Sequence, residues 1–168
     1  MRVLGIDPGL SRCGYGAVET RAGGGRRATA VAAGVLRTPP DAPLPARLGE
    51  LQRELRALVA ELRPDAVAVE KVFFQSNVRT AIGVAQASGL AIAEAVNGGA
   101  VVAEYTPNQV KEAVAGWGGA GKDEVERMVR ALLGIDRPLR PVDAADAVAL
   151  ALCHLAHAPR LARLESAR

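Results

Sequence analysis

Arg2-Val3-Leu4-Gly5-Ile6-Asp7-Pro8-Gly9 is a short apolar run that ends on a carboxylate and a turn-forming Pro-Gly pair. This is the pattern of a buried strand feeding a tight turn. Arg12 to Glu19 alternates loosely and predicts a second strand, and Thr29 to Leu36, rich in Val and Ala, predicts a third. Between them, Arg21 to Arg27 carries three consecutive glycines and reads as a hairpin tip, so the first three strands should form an antiparallel meander. Pro39 to Pro45 breaks the pattern. Beyond it, Leu48, Leu51, Leu55, Leu58, Val59 and Leu62 fall at helical spacing, with Glu50, Arg53, Glu54 and Glu61 on the opposite side.

Ala66-Val67-Ala68-Val69-Glu70 has the composition of a second buried strand ending on a carboxylate. From about Asn77 to Val96 the periodicity is helical, but Ala81, Gly83, Ala85, Ala87, Gly89, Ala91 and Ala93 cover nearly every face. Such a helix must be buried on most sides, and part of it is expected to pack against a second copy of the chain. Ala100 to Tyr105 is the next strand, and Thr106-Pro107 supplies an N-cap and first position for a helix to about Ala115. Gly116 to Lys122 is a glycine loop, Asp123 to Leu133 resumes a helix, and Pro141 opens a last one to about His157. The order is three strands, helix, strand, helix, strand and three helices, with residues 1–158 expected as one domain and 159–168 as a frayed, flexible tail.

The chain has 168 residues, 49% of them hydrophobic and 23% charged, which fits one globular α/β domain and excludes a disordered or collagenous chain. No apolar run approaches a membrane span, and the early Asp7 leaves no room for a signal-peptide core, so a cytoplasmic protein is expected. Cys13 and Cys153 are too few and too far apart for a disulfide framework or a zinc cage. A net charge of +3 is too small by itself to identify a nucleic-acid partner. The basic residues are nevertheless skewed, since 18 are Arg and only Lys71, Lys111 and Lys122 are Lys, which directs attention to those three positions.

An apolar strand tolerates a terminal carboxylate only where something offsets its desolvation. Asp7 and Glu70 both stand at such ends, and Asp143 and Asp146, three residues apart, share one helical face within a first turn. Four acids from three elements can thus converge at one sheet edge. Their repulsion is relieved by a cation between them, and oxygen donors without His or Cys select Mg²⁺ or Mn²⁺. Each acid also has an ordinary use: Asp7-Pro8-Gly9 can be an Asx turn, Asp143 an N-cap, and Glu70 a partner of Lys71 or an arginine.

Taken together, Gly5-Ile6-Asp7-Pro8-Gly9 with Gly14-Tyr15-Gly16, Glu70-Lys71-Val72-Phe73, Gln109-Val110-Lys111, Met128-Val129-Arg130 and Asp143-Ala144-Ala145-Asp146-Ala147 resemble the RuvC family of Holliday-junction resolvases. The similarity is colinear over essentially the whole chain. It implies an RNase H-like α/β fold: a five-stranded mixed sheet, strands one to three antiparallel, flanked by helices. It implies a structure-selective endodeoxyribonuclease that makes paired symmetric nicks in four-way junctions, leaving 5′-phosphate and 3′-hydroxyl ends. Asp7, Glu70, Asp143 and Asp146 match the family's metal-binding catalytic acids, with two ions of Mg²⁺ or Mn²⁺ per site. Asp7 is the candidate bridging ligand, while Asp146 is either a ligand or a general base. Some members carry His at the position of Asp143. The resemblance also implies a homodimer and coupling to the branch-migration proteins RuvA and RuvB.

By the same resemblance Phe73 contacts bases near the junction centre, where a stack is worth about 1–3 kcal/mol. Lys111 and Lys122 match basic residues near the scissile phosphate and the DNA backbone. Lys71, beside Glu70, is a similar candidate at a position where the family is not uniform. Arg79 and the Asn77 amide are weaker phosphate-contact candidates whose ordinary alternative is surface solvation. Cys153, His154 and His157 look like a ligand cluster, but at 1.5 Å per residue His154 lies about 12 Å along the helix from Asp146, too far for one metal shell. Gly116 to Lys122 meets the phosphate-loop spacing only loosely, and Asp123 stands where a hydroxyl is needed. ATP-binding sugar kinases and actin-like proteins share the fold and an early Gly-Ile-Asp, but normally use two such domains. A nuclease acting on ribosomal RNA precursors would cut RNA without regard to junctions, and a junction-binding scaffold would bind without cutting.

Overall fold

In a computed structural model, the structure describes residues 1–20, 27–72 and 78–165, with side chains described outside 78–80 and 159–165. Five strands, β1 (Arg2–Asp7), β2 (Arg12–Thr20), β3 (Ala28–Arg37), β4 (Ala66–Glu70) and β5 (Val101–Tyr105), form one sheet in the order β3-β2-β1-β4-β5. Strands β1 to β3 are antiparallel neighbours, and β4 and β5 add in parallel on the other side of β1. This is the mixed sheet the sequence pattern and family resemblance lead to.

The five helices are α1 (Leu44–Leu62), α2 (Val78–Asn97), α3 (Pro107–Ala115), α4 (Lys122–Leu133) and α5 (Val142–Glu165). They divide between the faces of the sheet, and the alternation of strand side chains makes the division. Leu4, Ile6, Val67 and Val69 pack with Leu51, Leu55, Ala87 and Ala91 of α1 and α2. Val3, Val18, Ala66 and Ala68 pack with Val110, Val125, Val129 and Val148 of α3, α4 and α5. Because successive strand residues point to opposite faces, Asp7 follows Val3 and Gly5 to the α5 face, and Glu70 follows Ala66 and Ala68. Both acids are thereby assigned to one side of the sheet before any detail of the site is considered.

Helix α5 comes unusually close to that face. A Cβ on Gly5 would run into the Ala147 carbonyl, and one on Gly14 into the Asp143 carbonyl. Glycine at these points lets the first turns of α5 rest on β1 and β2. The α5 backbone continues through Pro159 to Glu165. This corrects the expected helix end near His157: proline removes one backbone donor but does not by itself end a helix. The hairpin tip at residues 21–26 lies outside the described residues.

Candidate active site

Asp7 and Glu70 are the last residues of the parallel neighbours β1 and β4, one step beyond the Ile6–Val69 pair. Their side chains share a hydrogen bond in a largely buried setting. Burial first, then the charges of Glu70 and Asp146, push the Asp7 carboxyl up to about 8. Glu70 is raised by burial and by Asp146, against the opposing effects of its bond to Asp7 and of nearby Lys122. With its carboxyl held near 8, Asp7 keeps its proton at neutral pH while no cation is bound.

Helix α5 brings the other two acids to the same edge by way of the Gly14 contact. Asp146 lines a cavity of about 230 Å³ together with Asp7, Glu70, Lys111 and Lys122. Lys122 Nζ donates to Asp146 Oδ2 at 3.3 Å, and Asp146 raises the lysine pKa. Asp143 lies one helical turn earlier and is turned toward β2. There the guanidinium of Arg12 grips Asp143 Oδ2 through Nε, at 3.0 Å, and through Nη2. This pairing holds the Asp143 carboxyl below the ordinary aspartate range, despite partial burial.

All four predicted acids therefore reach one sheet edge, three of them lining one cavity. Among the described residues, however, no three His, Cys, Asp or Glu side chains form a ready cage for an ion. Two cations are engaged with the acids: Arg12 holds Asp143 and Lys122 holds Asp146. Asp7 and Glu70 make no ion pair with either. An all-carboxylate donor set with two half-buried acids side by side favours added positive charge, and a hard divalent cation fits it.

The lysines are positioned by well-formed helix starts. Thr106 accepts from the Gln109 N–H at 3.2 Å, and Gln109 Oε1 accepts from the Thr106 N–H at 2.9 Å, so a capping box fixes α3 and Lys111 at the end of β5. Lys122 begins α4 after the glycine loop. Lys71 is exposed and does not line the cavity; its backbone N–H donates to the Tyr105 carbonyl at 2.8 Å. Phe73, Asn77 and the side chain of Arg79 lie outside the described residues.

Cys153, His154 and His157 take part in packing around α5. His154 Nδ1 bonds the Tyr105 hydroxyl at 2.9 Å, and Cys153 Sγ donates to the Gln109 carbonyl at 3.7 Å. Sequence reasoning passed over Arg12. The signal was available, because Arg12 precedes Gly14 and Gly16 by even steps and so shares the strand face on which α5 rests.

The family model described as "Crossover junction endodeoxyribonuclease RuvC" matches residues 3–154. The protein of that name from Salinispora arenicola is 54% identical over 167 residues, covering 99% of this chain and 94% of its own. Its counterpart from Streptomyces avermitilis is 52% identical over 167 residues, covering 99% and 94%. The solved structure of T. thermophilus RuvC in complex with Holliday junction substrate superposes with a TM-score of 0.88 at 39% identity, covering 95% of this chain and 96% of that one.

Proposed function

The chain belongs to the RuvC family of crossover junction endodeoxyribonucleases and is a Holliday-junction resolvase, and we propose that its cutting site is the cleft shared by Asp7, Glu70, Asp146 and the neighbouring Asp143. The observation that carries this reading is the half-buried Asp7–Glu70 pair, raised in pKa and facing two lysines across one cavity. A divalent cation is part of the family's nuclease chemistry. We assign it to the Mg²⁺ or Mn²⁺ class, two ions per site, with the four acids as its holders. Ions so held would activate a water on one side of the scissile phosphate and stabilise the leaving 3′ oxygen on the other.

The protein's own groups supply the rest. Asp7, at the end of the central strand of the sheet, would be the ligand shared by the ions. Asp146 is a ligand or, bonded to Lys122 in the structure, a base that orients the water. Lys111 and Lys122 bind the phosphates flanking the cut and place the phosphorus over the acids. Phe73 is assigned a base of the opened junction centre, and Lys71 and Arg79 contacts to the DNA backbone. Hydrolysis leaves a 5′-phosphate and a 3′-hydroxyl.

Paired symmetric cuts require two sites, and we assign the second to a second copy of the chain. Helix α2 leaves Ile82 and Val96 50% and 59% exposed, with Gly89 and Ala93 exposed on the same stripe between them. A face of small and apolar residues suits close approach of an identical helix. The nuclease domain is assigned to residues 1–158, the compartment to the cytoplasm, and RuvA and RuvB are assigned as partners through the family.

A synthetic four-way junction nicked in Mg²⁺ tests the reading. Wild type should yield paired nicks with religatable ends, and Asp7→Asn should lose about 10³-fold or more of that rate. Full activity of Asp7→Asn, or undiminished cutting in excess chelator, would reject the site.

A further inference from the structure

Arg12 stands at the start of β2, and three features of the fold deliver it to Asp143. Its register places it two residues before Gly14, which is paired with Asp7. Even spacing puts Arg12 and Gly14 on the face against α5. The absence of a side chain at Gly14 brings the Asp143 backbone down onto that strand. The guanidinium and the carboxylate then meet through two N–H groups on one oxygen. Charge-assisted contacts of this kind are the stronger class of hydrogen bond. Asp143 is thus the acid most firmly engaged by a cation of the protein itself, whereas among the described residues Asp7 and Glu70 make no ion pair.

We propose that Arg12 is an internal counter-ion that competes with the metal for Asp143. This inference rests on the metal-site reading above and adds a residue that sets how tightly that site binds. As long as the guanidinium grips Asp143, only Asp7, Glu70 and Asp146 face the cavity. Recruiting the fourth carboxylate requires exchanging Arg12 for the ion, and that exchange weakens divalent-cation affinity. Arg12 is 42% exposed, so once released it can swing into solvent without leaving a buried charge behind. Its role is one of positioning, since it acts on the metal through Asp143.

Direct binding of Mn²⁺ to the DNA-free protein, followed by isothermal titration calorimetry and by loss of the free-ion electron paramagnetic resonance signal, tests this without any turnover. Arg12→Gln should bind Mn²⁺ about three- to tenfold more tightly than wild type, tenfold corresponding to 1.4 kcal/mol. Arg53→Gln removes an exposed charge from α1, whose apolar side packs on the opposite face of the sheet, and should leave the affinity unchanged. In an Asp143→Asn background the gain from Arg12→Gln should vanish, because the competed ligand is gone. Unchanged or weaker binding by Arg12→Gln overturns the proposal, as does a gain that Arg53→Gln matches or that persists with Asn at 143. If wild type binds no Mn²⁺ at all, the metal-site reading itself falls, an outcome distinct from wild-type binding that Arg12→Gln fails to tighten.

Discussion

Each face of the sheet contains a carboxylate withdrawn from water, and the two are treated in opposite ways. On the α1–α2 side, Glu94 is 2% exposed and accepts from Gln52 Nε2 at 2.7 Å and from Arg56 Nε and Nη2 at 2.9 and 3.0 Å. Its pKa is lowered, chiefly by those bonds. On the α5 side, Asp7 is pushed up to about 8 with another acid as its bonded neighbour. Both sites are products of helix and strand packing, and burial penalises both charges. The difference lies in whether the fold brings its own cation. Glu94 is complete as it stands and joins two helices. Among the described residues Asp7 and Glu70 make no ion pair, and that is the mark of a place where something else binds.

The largest consequence is in the pH dependence of stability. Folded Asp7 keeps its proton up to about 8, whereas the unfolded chain releases it near 3.8. Between those values the unfolded chain binds fewer protons, so stability should fall as pH rises, by a few kcal/mol in total. Glu70 contributes in the same direction. Glu94 and Asp143, with lowered values, act the other way and only toward the acid limit, where protonation removes their contribution. Urea unfolding between pH 5 and pH 8 in excess chelator should therefore show declining stability, flattened in Asp7→Asn and reversed by saturating divalent cation. A flat wild-type profile would show that the two carboxylates do not differ as described.

Glu94 gives the converse experiment. Glu94→Ala strips Gln52 and Arg56 of their shared acceptor, but Arg56 is 63% exposed and can turn to water. The expected loss is about 1–3 kcal/mol in urea unfolding, with junction nicking by the folded protein unchanged. Glu94→Gln, which retains one acceptor oxygen, should lose less. A fall in nicking rate larger than the unfolded fraction explains would mean that the two faces are not separable.

The frame of this difference was legible from sequence, because it rests on local pattern. Period-two alternation along Val3 to Asp7 and Ala66 to Glu70 places both acids, and helical spacing places Asp143 and Asp146 together. Contacts that depend on how closely two elements approach were less legible. Glycines at 5 and 14 were visible as a motif, yet that they let α5 rest on β1 and β2, and so bring Arg12 to Asp143, follows only from the packing. Glu94 was passed over as well. It is the lone acid in α2, one residue from Ala95 on the stripe of Ala87 and Ala91, and a charge so placed on a small-residue face signals a buried ion pair. Lys71 follows Glu70 in sequence yet does not line the cavity, because at a strand end the next side chain points to the other face.

The smallest effect concerns the lysines, and it separates the two faces by charge. With Asp7→Asn as a binding-competent background, the logarithm of junction affinity should fall linearly with the logarithm of salt concentration, at about 0.9 per phosphate neutralised. Lys111→Ala should flatten that slope by nearly this amount. Lys122→Ala should flatten it by less, because Nζ lies 3.3 Å from Asp146 and its charge is already partly spent there. Arg53→Ala, on the helix that packs against the opposite face, should leave the slope as it was, although it removes the same formal charge. Equal flattening by all three would mean that the junction senses only net charge, and the lysines lining the cavity would lose their assigned phosphates. Flattening confined to Lys111 and Lys122 would instead place the DNA on the α3–α4 side, over the acids that lack a cation of their own.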